Sequence, residues 1–541
     1  MSSNSKLAHV YNPANQSDQQ LLDGFIMRGK TFEKIINSLQ ASATSTPAQH
    51  FLIEAQRGMG KTSLLLRLKI EIQRDPKLSH LLAVQLAEEQ YGIFNLCQLW
   101  EHISEELENI TGLDNNGFET LVDELDNAAE QSDYAQECFN ILEKHLKQNN
   151  KQLVLLLDNF GDVLDRFSEL EQARLRDIFH SSSSIQLIAT SAKALEYTYK
   201  HDKAFFEFFQ ILYLKGLDKK DTHELLEKLA ATDNKQQKIK TIIKTQSARI
   251  ETIRRLTGGV PRTIVLLYEI FMDESASVFE DLESILDRVT PLYKHRMDDL
   301  PTQQQAIMNT IALNWDGMST REITEKLNNK QLTSKKISSR LRLLEKNGLV
   351  KSKLIDKKNK LYFLQERFFN IWYLMRYGRK KNKNQVLWLV RFLEEWCEPE
   401  ELKIRAKQHI KAAKEGRLHA RGGMLMAEAL SPLLDYDLQH ELICETRDAL
   451  RPECSDIDKK LSNSDKELFD LEDKACKDKN YKLAIKLNKE LIEKGNARAM
   501  VNLALLYQTE YKDYDQAIHY YKMAIEKDHA RAMFNLARLY K

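Results

Sequence analysis

Cysteine is scarce and scattered in this 541-residue chain: six residues, at 97, 138, 397, 444, 454 and 476, with no Cys-x-x-Cys pair. That spacing argues against a zinc site or a disulfide framework and for a reducing compartment, so a cytoplasmic protein is expected. Long apolar runs are also missing. No stretch of about 18 apolar residues occurs, which excludes a membrane-spanning helix. Met1-Ser-Ser-Asn-Ser-Lys6 has no apolar segment of the kind a signal peptide needs. Nor does one sign of charge dominate, because 80 Lys and Arg face 79 Asp and Glu for a net +1. What is present, 42% hydrophobic and 29% charged residues, describes a globular chain. Its length predicts roughly three or four domains.

One stretch organises the rest: Phe51-Leu-Ile-Glu-Ala-Gln-Arg-Gly-Met-Gly-Lys-Thr-Ser-Leu-Leu65. An apolar run, as in a buried strand, leads into a Gly-rich turn. Lys61 and Thr62 follow, then a Leu-rich stretch with helical spacing to Ile72. Strand, loop and helix in that order form a P-loop, which binds nucleotide phosphates. Gly58 and Gly60 tolerate the positive φ that turns backbone N–H groups inward. The helix N-terminus adds partial positive charge. Gln56, Arg57, Gly58, Met59, Gly60, Lys61, Thr62 and Ser63 are therefore the expected cradle. Lys61 would meet the β- and γ-phosphates, and the Thr62 hydroxyl would ligate Mg²⁺. The strict pattern Gly-x-x-x-x-Gly-Lys-[Ser/Thr] has Ala55 in place of its first glycine.

Three further motifs follow in order. Leu153-Val-Leu-Leu-Leu-Asp158 reads as a central strand whose carboxylate emerges at the C-terminal edge, where ligands sit in open α/β sheets. Asp158 would hold Mg²⁺ directly or through water. Asn159 comes next and cannot take a proton; Asp162 and Asp165 lie just beyond, unplaced. Ile185-Gln-Leu-Ile-Ala-Thr190-Ser191 ends a strand with two hydroxyls that either touch the γ-phosphate and orient water or only form a turn. In Thr257-Gly-Gly-Val-Pro-Arg262 the glycines end one helix and Pro261 begins another. Arg262 on that first turn can grip a phosphate bidentately, or it is an ordinary surface arginine.

This series resembles the AAA+-related STAND ATPases, and within them the archaeal-type ATPases similar to origin-recognition initiators. Gln56-Arg-Gly-Met-Gly-Lys-Thr-Ser-Leu64, Asp158-Asn-Phe160 and Gly258-Gly-Val-Pro-Arg262 carry the resemblance, over about residues 20–380. It implies ATP or ADP with Mg²⁺. It implies Lys61 and Thr62 for phosphate and metal, Asp158 for Mg²⁺, Thr190 or Ser191 as first sensor, and Arg262, beside Pro261, as second sensor. Phe25-Ile-Met-Arg28 looks like the start of the N-terminal helix that borders the adenine. Many ATPases of this class carry Glu where Asn159 stands, so binding with slow turnover is expected. Arg174 and Arg176 are the candidates for an arginine finger.

Residues 299–383 read as a winged helix-turn-helix. Ser319 and Glu322 form a capping box for one short helix, and Thr333 opens a longer one with Ile337, Leu341 and Leu344 on one face. A hairpin around Asp356-Lys-Lys-Asn359 follows. Residues 320–383 hold 19 Lys and Arg against 5 Asp and Glu, or +14, so the rest of the chain carries −13. That asymmetry suits phosphate contact: Lys335, Lys336 and Arg340 would face a major groove, with Lys357 and Lys358 at the wing tip. The alternative is a module that packs on the core and leaves its basic face to solvent.

Near the C-terminus a repeat emerges. Ala497-Arg-Ala-Met-Val-Asn-Leu-Ala-Leu-Leu-Tyr507 returns 33 residues later as Ala530-Arg-Ala-Met-Phe-Asn-Leu-Ala-Arg-Leu-Tyr540. Small residues at fixed positions let paired helices pack closely. This resembles tetratricopeptide repeats of the Sel-like variety, which implies a concave protein-binding surface. The expected architecture is an α/β P-loop NTPase core followed by an all-α lid, a winged helix-turn-helix and an α-solenoid tail. Its segments are an extended lead-in (1–22), core (23–215), lid (216–298), winged helix (299–383), helical linker domain broken at Arg421-Gly-Gly423 (384–465) and repeats (466–541). The function this suggests is a nucleotide switch, capable of ATP-dependent homo-oligomerisation, whose tail binds a protein partner. A DNA-binding ATPase is the alternative.

Overall fold

The computed structural model describes residues 17–25, 28–41, 48–86, 92–110, 118–192, 195–199, 201–232, 234–245, 247–272, 278–328, 332–355, 359–377, 386–454 and 456–540. The chain divides into two compact units, residues 1–273 with 285–370, and residues 274–284 with 371–541.

A five-stranded parallel sheet forms the centre of the first unit. Its strands are β1 (Phe51–Glu54), β2 (Leu81–Leu86), β3 (Gln152–Leu157), β4 (Ile185–Ser191) and β5 (Gln210–Tyr213), in the order β2-β3-β4-β1-β5. A parallel sheet is covered on both faces, which is why these strands read as continuous apolar runs. Alternation sorts the side chains. Phe51, Ile53, Val154, Leu156 and Ile188 join a core with the helices Gly29–Ala41 and Lys61–Arg74. Leu52, Leu153, Leu155, Leu157, Leu187 and Ala189 join a second core with Leu96–Glu108, Tyr134–Gln148 and Glu169–Ser181. Each such side chain contributes about 1.5–3 kcal/mol on burial. Because the strands are parallel, β1, β3 and β4 all deliver their following residues to one edge.

The helices Lys219–Thr232, Ser247–Thr257 and Pro261–Met272 follow β5. Thr290–Asp298 and Thr302–Ala312 come later in the same unit. A second, antiparallel sheet comprises β6 (Met318–Ser319), β7 (Val350–Leu354) and β8 (Lys360–Leu364), ordered β6-β8-β7. Between β6 and β7 lie Thr320–Leu327, with the Ser319–Glu322 capping box, and the basic helix Ser334–Lys346, capped by Thr333.

The second unit is helical. Its last five described α-helices are Asp465–Lys477, Tyr481–Glu493, Ala497–Leu506, Tyr514–Ile525 and Ala530–Leu539. Ala484, Ala499, Ala504, Ala517, Ala524 and Ala532 are completely buried, which lets successive helices approach closely. Glu472 is buried and accepts hydrogen bonds from Asn488 (2.8 Å) and Asn502 (3.4 Å), tying three consecutive helices.

Several details depart from the sequence reading. Of the expected extended lead-in, residues 1–16 lie outside the described residues, and Asp18–Gly24 is helical, with Ser17 and Gln20 in a capping box. The N-terminal helix begins at Gly29 rather than Phe25, because Arg28 sits at φ 76°, outside the helical region. Arg421-Gly-Gly423 does not break a helix. It forms the first turn of Ala420–Leu430, where a Cβ on Gly423 would already lie 3.3 Å from the Leu418 Cβ. Asn370, in the helix Arg367–Tyr377, binds the Ala312 and Asn314 carbonyls.

Candidate functional site

The segment 55–60 links β1 to the helix that starts at Lys61. Gly58 and Gly60 lie at φ 85° and 86°, left-handed backbone in which a side chain is strained. A Cβ on Gly60 would meet nothing within 4 Å, so glycine is there for its dihedral, and the concavity it faces is open. Ala55 is not among the positive-φ residues. The extra methyl relative to the strict pattern therefore costs no backbone strain.

The carbonyls of this loop are held by four groups. Lys61 Nζ donates to Ala55 O (2.9 Å) and Gln56 O (3.4 Å). Arg296 Nη2 donates to Arg57 O at 2.8 Å. The Arg262 backbone N–H donates to Gly58 O at 3.3 Å, and Arg28 Nη2 to Met59 O at 3.2 Å. In a trans peptide the C=O and the next N–H point in opposite directions. Holding Arg57 O and Met59 O outward thus aims the N–H groups of Gly58 and Gly60 inward, the nest an anion needs. Lys61 is buried and starts the helix, whose first N–H groups add to the same field.

The carboxylate arrives from β3. Asp158 is 2% exposed, and its Oδ2 accepts from Thr62 Oγ1 at 2.5 Å. Its Oδ1 accepts from the Asn159 N–H (3.1 Å) and from the Thr190 hydroxyl, in a very short contact. Asn159 stands at φ 53°, ψ 50° and caps Phe160–Leu164 without a side-chain bond to that helix. Its N–H also reaches Thr190 Oγ1 at 3.2 Å. Of the two hydroxyls ending β4, Thr190 joins Asp158, whereas Ser191 pairs in register with Glu54 and by alternation faces the other side of the sheet. Two oxygen donors, Thr62 Oγ1 and Asp158 Oδ2, side by side at the mouth of an amide nest suit a hard, oxygen-seeking cation such as Mg²⁺.

Pro261 is buried at the start of its helix, and Arg262 is exposed on the first turn. Val260 and the Arg262 Cβ would lie 3.3 and 3.2 Å from a Cβ on Gly58, so this turn packs directly on the loop. Arg28 spans Met59 O and Lys215 O (2.6 Å). Burial pulls its basicity down, and the charge of Asp221 partly restores it. Ser63 is half-buried on the first turn of the P-loop helix.

Two predicted cradle side chains turn outward. Gln56 Nε2 donates to Asn347 O at 3.2 Å, at the end of the basic helix, and Arg57 pairs with Asp299 at 3.1 Å. Their backbones form the cradle while their side chains bind the elements behind it. Arg174 pairs with Asp133 at 2.7 Å, and Arg176 lies 6.0 Å over the Phe208 ring, so both have partners within the unit. Lys335 and Lys336 are exposed and Arg340 half-exposed on the basic helix, opposite the buried Ile337, Leu341 and Leu344. Lys357 and Lys358 lie outside the described residues.

Sequence reasoning missed Arg296, Glu366, Tyr293 and Glu54. Arg296 and Glu366 form a buried ion pair, each side chain 3% exposed, and the Tyr293 hydroxyl donates to Glu366. Burial and the Glu366 charge hold the Tyr293 phenol well above its ordinary range. Glu54 is buried at the end of β1. Burial pushes its carboxyl up, while the charge of Lys346 draws it back. No periodicity distinguishes these residues from solvent-facing ones; only Glu54, a charge ending an apolar strand, carried a readable signal.

The chain is similar to several solved structures at low sequence identity. It is similar to the ORC2 protein of Aeropyrum pernix in its ADPNP–ADP complexes, at 15% identity over 69% of this chain and 98% of that one, TM-score 0.43. It is also similar to a Signal Transduction ATPase with Numerous Domains (STAND) with a tetratricopeptide repeat sensor from Pyrococcus horikoshii, at 15% identity over 95% and 80% of the two chains, TM-score 0.27. The RuvB Holliday junction branch migration motor of Thermotoga maritima matches at 15% identity over 63% and 93%, TM-score 0.28. No family profile and no curated protein matches the chain.

Proposed function

We propose that this chain binds ATP or ADP with Mg²⁺ and acts as a slowly hydrolysing STAND-like switch. The observation that carries the reading is the loop 55–60, its Arg57 and Met59 carbonyls held outward, beside the Thr62–Asp158 pair. The amides of Gly58 and Gly60 and the Lys61 ammonium would take the phosphates, displacing Lys61 from its carbonyl contacts. Thr62 and Asp158 would hold Mg²⁺, which when bound neutralises charge between the β- and γ-phosphates. Thr190 orients Asp158, and Arg262 stands on the turn that packs over the loop. Asn159 supplies a hydrogen-bonding amide where proton removal from water needs a base, so turnover should be slow. The repeats of the tail would bind a protein partner, with nucleotide state setting conformation or homo-oligomeric assembly. The test is nucleotide binding by wild type and Lys61→Ala. Saturable, Mg²⁺-dependent binding lost in the variant is expected, and equal binding by both at millimolar ATP would end the proposal.

The exposure of Lys335 and Lys336 on the solvent side of a winged-helix module favours a second reading, a DNA-binding ATPase. Lys335→Glu/Lys336→Glu should abolish salt-sensitive binding to a short duplex. A wild type that does not bind at low salt would remove this reading.

A further inference from the structure

The nucleotide reading uses the inner side of the P-loop. The outer side of its central peptide is held by a group to which that reading gives no part. Arg296, on the helix Thr290–Asp298, is 4% exposed. One guanidinium nitrogen donates to Arg57 O at 2.8 Å and another to Glu366. The second oxygen of Glu366 accepts from the Tyr293 hydroxyl, and the Tyr293 ring stacks on Phe369 with centroids 4.6 Å apart. The ring of Tyr293 also lies 5.4 Å beneath the guanidinium.

A buried guanidinium is costly unless it is paired and hydrogen-bonded. Glu366 neutralises this one, and Tyr293 fixes Glu366 in place. Nη2 is spent on a peptide carbonyl of the P-loop, while the buried Nε has no hydrogen-bond partner among the described residues. We propose that Arg296 is a positioning residue for nucleotide: it locks the 57–58 peptide plane with its carbonyl outward, so that the Gly58 N–H faces the phosphate. With that plane flipped, the Arg57 carbonyl would face the phosphate and repel it. Glu366 lies between β8 and the helix Arg367–Tyr377, and Gln56 is bonded to Asn347. The same anchor therefore makes phosphate affinity depend on where the β6–β8 module sits.

The inference rests on the nucleotide reading, and the experiment separates the two. A fluorescent ADP analogue with Mg²⁺ is titrated into the full chain as wild type, Lys61→Ala, Arg296→Lys and the double variant Arg296→Met/Glu366→Leu, with a melting curve for each. Replacing a buried ion pair by apolar side chains is often neutral for stability, so the double variant should melt near wild type. It should still bind about tenfold or more weakly, as should Arg296→Lys, because a charge-assisted hydrogen bond that orders the loop is gone. Should the double variant not fold, Arg296→Lys tests the same interaction with Glu366 intact. Variants that bind like wild type, or whose affinity merely follows their melting temperature, overturn the inference alone. A wild type that binds no better than Lys61→Ala overturns the nucleotide reading and this inference together.

Discussion

Asn159 sits in left-handed backbone, which an L-residue other than Asn or Asp enters at a cost of roughly 1–2 kcal/mol. Asparagine is among the few residues that tolerate this dihedral. Asn159→Gly should therefore be about 1 kcal/mol more stable than Asn159→Ala in urea unfolding, and equal stabilities would contradict the strain argument. His50 makes a second residue-scale case. Its Nε2–H donates to Phe179 O (2.9 Å) while Nδ1 accepts from the Leu187 N–H (2.9 Å), so only the neutral ring fits. Burial, with help from nearby His180, pulls its pKa down to about 4. Buried His409, which donates to Thr446 Oγ1 (3.0 Å), is likewise pulled to about 4. The unfolded chain then holds more protons than the folded one between about pH 4 and 6.5. Stability from each ring is complete above 6.5 and falls as pH drops towards 4, by on the order of 3 kcal/mol in total per ring. Urea midpoints measured from pH 7 to 4.5 should fall less steeply in His50→Asn than in wild type.

At the scale of elements, much was readable because it is local. Capping at Ser319 and Thr333, the helix stop at Gly258-Gly259, and the buried faces of the strands follow from neighbours a few residues apart. The start of the N-terminal helix was misread because the amphipathic pattern at Phe25 continues through Arg28, which stands at φ 76° and reaches the distant carbonyls of Lys215 and Met59. The turn at Gly258-Gly259 also has a tertiary role no motif announces. Leu217 N–H donates to Gly259 O at 2.8 Å, and a Cβ on Gly259 would lie 2.6 Å from Leu217 backbone atoms. Rigid backbone cannot yield to a methyl group, and φ there is 75°. Gly259→Ala is expected to cost about 2–4 kcal/mol and to weaken nucleotide binding through the adjacent Val260 and Arg262. Thermal unfolding and nucleotide titration would check both, and a neutral variant would show that this crossing can relax.

At the scale of the whole chain, near-neutral totals conceal a segment of +14 against a remainder of −13. If the exposed face of the basic helix meets duplex phosphates, log affinity should fall linearly with log salt. Removing Lys335, Lys336 and Arg340 together should then lessen the slope by about 0.9 for each phosphate that is no longer neutralised. An unchanged slope would mean these cations do not meet duplex phosphates. Among the described residues no helix is long and apolar enough to cross a membrane, in line with the short apolar runs of the sequence.

The amino-acid order alone determined the succession of strands and helices, the P-loop, the acidic strand end and the recurrence of the tail, because these rest on short-range periodicity and on turn chemistry within a few residues. It left open which β4 hydroxyl meets Asp158, where Gln56 and Arg57 point, and what holds the loop from behind. Those were decided only by folding. Arg296 and Arg57 are 239 positions apart, and Thr62 and Asp158 are 96 apart. Pairings across such distances arise from sheet order and buried electrostatics, which leave no pattern along the chain.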